Sequence, residues 1–554
     1  MTTFVPRAPY TKEELAQLYP QELELRLVQV LLRHGSYHSL WEEIDTVPAR
    51  EPPLTNAYRR TQPRVTQVPE YGFAAILALL QFRPPVFQRC NVNYRLVKVG
   101  PIEVPTKAGD LWSRRWTRAV IASGPDGEFD GICQPGELTD KGRETTLALG
   151  QRLRHLYVDQ LRFMPKLISD SDMIYLRATP IPRALESVQQ AFYGFYPPSA
   201  RTADFPAPTI ITRTPADETL FPNDGNCRRF AHLSRAFANR AAERWNETED
   251  VQYLSKLFTK WMPGNQPVAV DSHPRLSGIM DTINATDAHG PQTKLPKEFY
   301  DPKARAIIDK IGVEEWFEGY KESTEYRMLG IGGLMGDITS RMTGSVERNG
   351  NDGLVEVGGN DGDLGHGRGG ETDIRLALSG CHDTTLAACL TSLGAFEGEK
   401  WPPFTSHIAF ELFRKKAATP ATQRLSDAPA SAGTLAGSQE KPQSWWTSLF
   451  SSKKAPDLPV KPQGIARKPL RELTPEQRNK LRDYYVRIRY NDKIMQVPGC
   501  KPAGKHLDGD DTFCTLEAFK GIVDKYTPSD WKHACASNVN TPSFPKEIER
   551  AGYE

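Results

Sequence analysis

The chain predicts an α/β fold: a mainly parallel central sheet flanked by helices, with a helical cap region. Three observations carry that prediction. Short apolar runs suited to buried strands alternate with longer stretches of helical periodicity. Three of those runs stop abruptly at arginine or histidine-bearing residues, as strands do when they deliver side chains to a site outside the carboxyl ends of a parallel sheet. Between residues 215 and 345 helical signals dominate and strand signals are few, which marks that region as the cap.

Taken in order, residues 27–32 (LVQVLL) form the first buried strand and end in Arg33-His34-Gly35. A helix follows at 141–157. Residues 173–176 (MIYL) form a second strand, ending in Arg177, and a helix at 183–196 places Ala184, Leu185, Val188, Phe192 and Phe195 on one face. Helices at 231–243 and 307–321 belong to the cap. The third strand, 374–378, ends in Ser379-Gly380-Cys381-His382-Asp383, and an apolar helix at 384–393 begins at once. HIAFELF (407–413) and YYVRIRY (484–490) alternate as the strands of one hairpin with a lengthened connection. Loop-closure entropy grows only logarithmically, so such a connection is tolerated.

Residues 349–372 offer almost no apolar surface to offset their ordering entropy, and 417–467 are dominated by Ala, Ser, Pro, Gln and Lys. The expected organisation is therefore an α/β core in three parts (1–214, 373–416 and 468–554), the cap at 215–345, a Gly/Asp-rich disordered loop at 346–372 and a disordered insertion at 417–467.

Composition excludes several functions. Seventy Lys and Arg against 68 Asp and Glu leave a net charge of +2, so no overall field exists to hold a nucleic acid. The longest apolar run, FAAILALL at 73–80, is far short of the roughly 18 to 20 residues that span a bilayer; it reads as a buried helix. The N-terminus has no basic segment followed by a long apolar one, so a cleaved secretory signal is not expected. The compartment stays open, with mitochondrial or cytoplasmic placement favoured. Eight cysteines form no CxxC pair, and no metal site is expected. Cys500, Cys514 and Cys535 suit either a bridge in an oxidising compartment or free thiols in a reducing one. Trp445, Trp446, Leu449 and Phe450, beside Lys453 and Lys454, would supply weak peripheral membrane contact, or else dock on the body of the protein.

If the three strand ends converge, Arg33, His34, Arg177, His382 and Asp383 share one pocket. Guanidinium groups bind phosphoryl oxygens, an imidazole can attack phosphorus, and a carboxylic acid can protonate a departing alkoxide. Phosphomonoester transfer is the chemistry that this inventory suits.

At these residues the sequence resembles the histidine acid phosphatase branch of the histidine phosphatase superfamily, whose signatures are RHGxRxP near the start and a late HD. They appear here as VQVLLRHGSYHSL and LSGCHDTTLAACLTSLGAF. The resemblance extends to GELTDKGRETTLALGQRLRHLYV, YLRATPIPRALESVQQAFYGFYP and the C-terminal DTFCTLEAFKGIVDKYTPSDWKHAC. The stretches YVDQLRFMP, DETLFPN and KWPPF are most similar to mitochondrial lysophosphatidic acid phosphatases. The resemblance implies a phosphoglycerate-mutase-like architecture, a small-molecule phosphomonoester as substrate, and no cofactor. It implies His34 as nucleophile, Arg33, Arg177 and His382 as phosphoryl ligands, and Asp383 as general acid.

One motif position departs from the family. Tyr37 stands where a second arginine is expected, and Ser39 stands where proline is. His38, Arg50, Arg59, Arg60 and Arg64 are candidates to fold back in its place. The departure leaves two readings open: an acid phosphatase working through phosphohistidine, on a lipid phosphate or on sugar or inositol phosphates, and a phosphate-binding or scaffold protein that kept the fold and lost turnover.

Overall fold

A computed structural model of the chain describes residues 2–37, 136–290, 295–347, 374–416, 465–466 and 468–554, together with the backbone of 120–122 and 128–130. The apolar run at 73–80, the Gly/Asp-rich segment, almost all of the 417–467 insertion with its two tryptophans, and His38, Arg50, Arg59, Arg60 and Arg64 lie outside the described residues.

The strands are β1 (Leu23–Arg33), β2 (Val120–Ala122), β3 (Glu128–Asp130), β4 (Ile174–Ala178), β5 (Ile210–Ile211), β6 (Leu376–Cys381), β7 (His407–Lys415), β8 (Tyr484–Tyr490), β9 (Lys493–Met495), β10 (His506–Leu507) and β11 (Asp510–Thr515). Nine of them form one mixed sheet in the order β10-β11-β8-β7-β1-β6-β4-β5, with β9 paired to β8, while β2 and β3 pair separately. The half that bears the three predicted strands is parallel: β1 on β6, β6 on β4, β4 on β5. β7 and β8 pair antiparallel, Phe410 opposite Ile488, and extend the sheet from the other side of β1.

Successive residues on a strand point to opposite faces, and here both faces are covered. Val28, Val30, Leu32, Leu176, Leu376 and Leu378 pack under the helices Asp140–Arg154 and Pro182–Phe195. Leu27, Leu31, Tyr175 and Ala377 face the other way, towards the helices Gly333–Glu347, Asp383–Ser392 and Leu516–Asp524. Double burial explains why β1 from Leu27 and β6 from Leu376 read as largely apolar runs, Gln29 being the buried polar exception in β1. A third core lies within the helical stretch, where Phe258 stacks on Phe299 with ring centroids 4.6 Å apart and Ile279, Ile283 and Ile308 close around them.

Among the described residues, two disulfides involve the late cysteines. Cys500 bridges Cys514, and Cys535 bridges Cys227, tying the C-terminal helix Trp531–Ala536 to the start of the helix Arg228–Trp245. Cys381 and Cys389 are buried free thiols.

The helices on the first face sit unusually close. A Cβ built on Gly150 would lie 1.9 Å from the carbonyl oxygen of Ala191, and one on Gly194 would lie 2.3 Å from that of Leu147. Only glycine at both positions lets Asp140–Arg154 and Pro182–Phe195 approach backbone to backbone. Gly150→Ala should therefore destabilise the protein by about 1–3 kcal/mol, the usual cost of overpacking, as read from chemical denaturation.

Candidate active site

The register of the parallel strands sets the site. Arg33, the last residue of β1, lies beside Cys381, the last of β6, and Ala178, the last of β4, lies beside Gly380. One row of the sheet thus ends at Arg33, Cys381 and Thr179, so the residues immediately after these emerge together. His34 continues the pairing through its N–H, which donates to the Cys381 carbonyl at 3.1 Å. Gly35 then passes beneath the helix Asp140–Arg154, where an added Cβ would lie 2.4 Å from the Gly142 carbonyl oxygen. Its N–H donates to Ser187 Oγ at 3.1 Å. No side chain larger than hydrogen fits there.

The His34 imidazole is 2% exposed. Its Nδ1 lies 2.8 Å from the Gly35 carbonyl oxygen, an acceptor only, so the ring proton resides on Nδ1 and Nε2 keeps its lone pair. Arg183 Nε donates to that Nε2 at 3.2 Å. Burial, reinforced by the charge of Arg183, holds the His34 pKa well below the ordinary histidine value, so the ring stays neutral. The His382 ring lies 5.3 Å from that of His34, and its Nε2 is 3.1 Å from Thr179 Oγ1. Burial and Arg183 depress its pKa as well.

Asp383 opens the helix Asp383–Ser392. Its Oδ1 accepts from the Thr384 N–H at 2.8 Å, and its Oδ2 accepts from Trp401 Nε1 at 3.0 Å and pairs with Arg33 Nη2 at 2.7 Å. Burial alone would favour the protonated acid, but Arg33 and Trp401 outweigh it and the net shift is downward. Arg33 also donates from Nη1 to the Pro402 carbonyl, and its guanidinium lies 4.0 Å over the Phe404 ring. Across the pocket, Tyr37 donates its hydroxyl to Asp281 Oδ1 at 2.6 Å. Its ring is 5.1 Å from His34, with the Arg183 guanidinium 4.6 Å over it.

The pocket thus presents an unprotonated imidazole nitrogen facing a guanidinium, with a carboxylate held on a second guanidinium beside it. Residues 93–427 of the chain match the histidine phosphatase superfamily (branch 2). A probable acid phosphatase of Schizosaccharomyces pombe is 34% identical over 519 residues, 93% of this chain and 95% of that protein. The chain belongs to branch 2 of the histidine phosphatase superfamily. This histidine phosphatase is also 25% identical to the lysophosphatidic acid phosphatase type 6 of Pongo abelii over 283 residues, 50% of this chain and 57% of that one. The apo form of Hafnia alvei phytase superposes with a TM-score of 0.46 at 12% identity, covering 93% of this chain and 99% of the phytase.

Of the residues singled out from the sequence, Arg33, His34, Tyr37, His382 and Asp383 meet in this pocket of the histidine phosphatase. Arg177 does not join them. β4 runs on to Ala178, so Arg177 is an interior strand residue beside Ser379, two rows below the strand ends. Its guanidinium is fully buried on Glu218, with Nη2 2.6 Å from Oε1 and 3.0 Å from Thr219 Oγ1. The guanidinium at His34 belongs instead to Arg183, in the first turn of the helix Pro182–Phe195 after β4. The signal was present in the sequence: the first helical turn after a parallel strand lies at the strand's carboxyl end. Asp281 and Trp401 were given no role: Trp401 lies in the family-like KWPPF stretch without a chemistry that singles it out, and no local pattern marks Asp281.

Arg177→Ala should act on folding rather than on the pocket. It takes the guanidinium from the fully buried Glu218 carboxylate, which keeps only the Thr219 and Leu220 N–H donors at 2.8 and 2.7 Å, and should lower unfolding free energy by about 3 kcal/mol, measured by urea denaturation.

Proposed function

We propose that the protein hydrolyses phosphomonoesters as an acid phosphatase, through a phosphoryl group carried on His34. The observation that supports this most strongly is the state of the His34 imidazole: proton fixed on Nδ1 by Gly35, lone pair of Nε2 directed at Arg183. In the free protein Arg183 occupies the place that phosphorus would take. An incoming phosphomonoester draws the Arg183 and Arg33 guanidiniums onto its non-bridging oxygens, and Nε2 is released to attack. If Thr179 donates to His382 Nε2, the His382 Nδ1–H is left to donate to a third oxygen.

The N–P bond forms as the bond from phosphorus to the leaving oxygen breaks. Asp383 gives that oxygen its proton. The ion pair with Arg33 keeps Asp383 ionised in the free protein, but a phosphoryl dianion competes for Arg33 and its negative charge raises the proton affinity of the neighbouring carboxyl. Water then attacks phosphohistidine, Asp383 takes the proton from that water, and inorganic phosphate leaves with His34 restored. Two guanidiniums, preorganised by Phe404 and by Tyr37, neutralise the developing charge. The relative named as a lysophosphatidic acid phosphatase makes lysophosphatidate a substrate to assay beside simple alkyl and aryl phosphates.

Four expected outcomes test this reading. His34→Ala should abolish phosphate release, and Arg183→Ala should lower kcat/KM by a factor on the order of 10² to 10³ while its circular dichroism is unchanged. Asp383→Asn should slow hydrolysis of glycerol phosphate far more than that of p-nitrophenyl phosphate, because the aryl leaving group departs without a proton; equal losses on both would remove Asp383 from the acid role. A His34 pKa depressed below its ordinary value keeps the nucleophile neutral as pH falls, while acid favours the proton that Asp383 must deliver. Activity on an alkyl phosphate should therefore be no lower at about pH 5 than at about pH 7, and a decline over that interval would contradict the assignment.

A further inference from the structure

Asp281 projects from the helix Leu276–His289 into the pocket at His34, and the phosphoryl transfer proposed above makes no use of it. Its Oδ1 accepts from Tyr37; burial, with the charge of Asp383, moves its pKa up from the ordinary carboxylate value, while the Tyr37 hydroxyl, Arg33 and Arg183 hold it towards the charged form. It is a second carboxylate at the pocket, besides Asp383. Arg33 pairs with Asp383, and Asp281 lies within electrostatic reach of both Arg33 and Arg183, so among the described residues two carboxylates stand against these two guanidiniums.

We propose that Asp281 is a specificity-determining residue that admits phosphomonoesters with a neutral or cationic leaving group and refuses those whose leaving group carries another phosphate. The inference rests on the phosphatase reading of the same site. One phosphoryl group is accommodated because His34, Arg33 and Arg183 converge on it. The remainder of the substrate meets Asp281, whose carboxylate accepts a hydrogen bond from a hydroxyl or an ammonium and repels an anion. Such discrimination operates by repulsion of the wrong ligand as much as by attraction of the right one. Tyr37 is the positioning residue: its hydroxyl fixes the carboxylate, and its ring carries the Arg183 guanidinium. At the position where the family motif has an arginine, this chain thus holds an aromatic ring clamped to an acid.

The test compares kcat/KM of the full-length protein for glycerol phosphate and phosphocholine with that for fructose 1,6-bisphosphate and inositol hexakisphosphate, before and after Asp281→Asn. The wild type should prefer the first pair. Asp281→Asn should shift the ratio towards the polyphosphates by on the order of 10- to 100-fold, the range expected on removing a like charge from close quarters, whereas Tyr37→Phe, which keeps the charge but releases the carboxylate from the hydroxyl that fixes it, should shift the ratio in the same direction by less. Equal efficiency of the wild type on both pairs overturns the proposal without any variant, and so does a loss in Asp281→Asn that is uniform across the four substrates, the mark of a purely structural role. Absence of hydrolysis of every substrate by the wild type would instead overturn the phosphatase reading, and this inference with it.

Discussion

In the register of β1 on β6, Arg33 lies beside Cys381, and the residues after each of these strands emerge at the same edge of the sheet. His34 and the pair His382-Asp383 are distant in the sequence, yet a single parallel pairing makes them neighbours. The Arg33 to Asp383 ion pair, at 2.7 Å, closes the link between the two strand ends. The surrounding helices then act on a junction already set by backbone hydrogen bonds. Glycine at 35 lets the chain turn beneath the helix Asp140–Arg154, and close packing of that helix on Pro182–Phe195 brings Arg183 to the imidazole.

The electrostatics are a consequence of that placement. An imidazole buried among guanidiniums stays neutral, which is the state a nucleophile requires. A carboxylate beside the same guanidiniums stays charged until an anion competes for them. The free site is thus self-neutralised, and in the proposed reaction a phosphoryl group enters by exchange, taking up the donors that Asp383 and His34 now occupy. Self-neutralisation spares the empty pocket the cost of unpaired buried cations. With Asp281 acting as proposed, it also makes the site sensitive to the total charge of what arrives.

Much of this was legible in the residues, for identifiable physical reasons. Largely apolar runs betray strands buried on both faces, so β1, β4 and β6 could be read, as could the antiparallel pairing of β7 with β8 from their alternation. The ends of strands are harder, because pairing continues for a residue or two past the apolar run. That is why Arg177 looked terminal: the run ends at Leu176, while the strand extends to Ala178. An arginine inside a doubly covered strand finds a buried carboxylate instead of a ligand. Arg183 carried a positional signal, in the first helical turn after β4, but a first-turn arginine reads as readily as an ordinary solvated residue. Asp281 and the partnership of Cys227 with Cys535 leave no local trace, since both depend on how helices remote in sequence pack together.

Bonding of His34 Nε2 to phosphorus during turnover is the central claim. Rapid quenching of the protein in alkali while it hydrolyses a radiolabelled phosphomonoester, followed by peptide mapping, tests this most directly. Label is predicted on the peptide containing His34, stable to alkali and released by acid, with none in His34→Ala. Turnover with no label on that peptide at any quench time, or label that persists in His34→Ala, would contradict it.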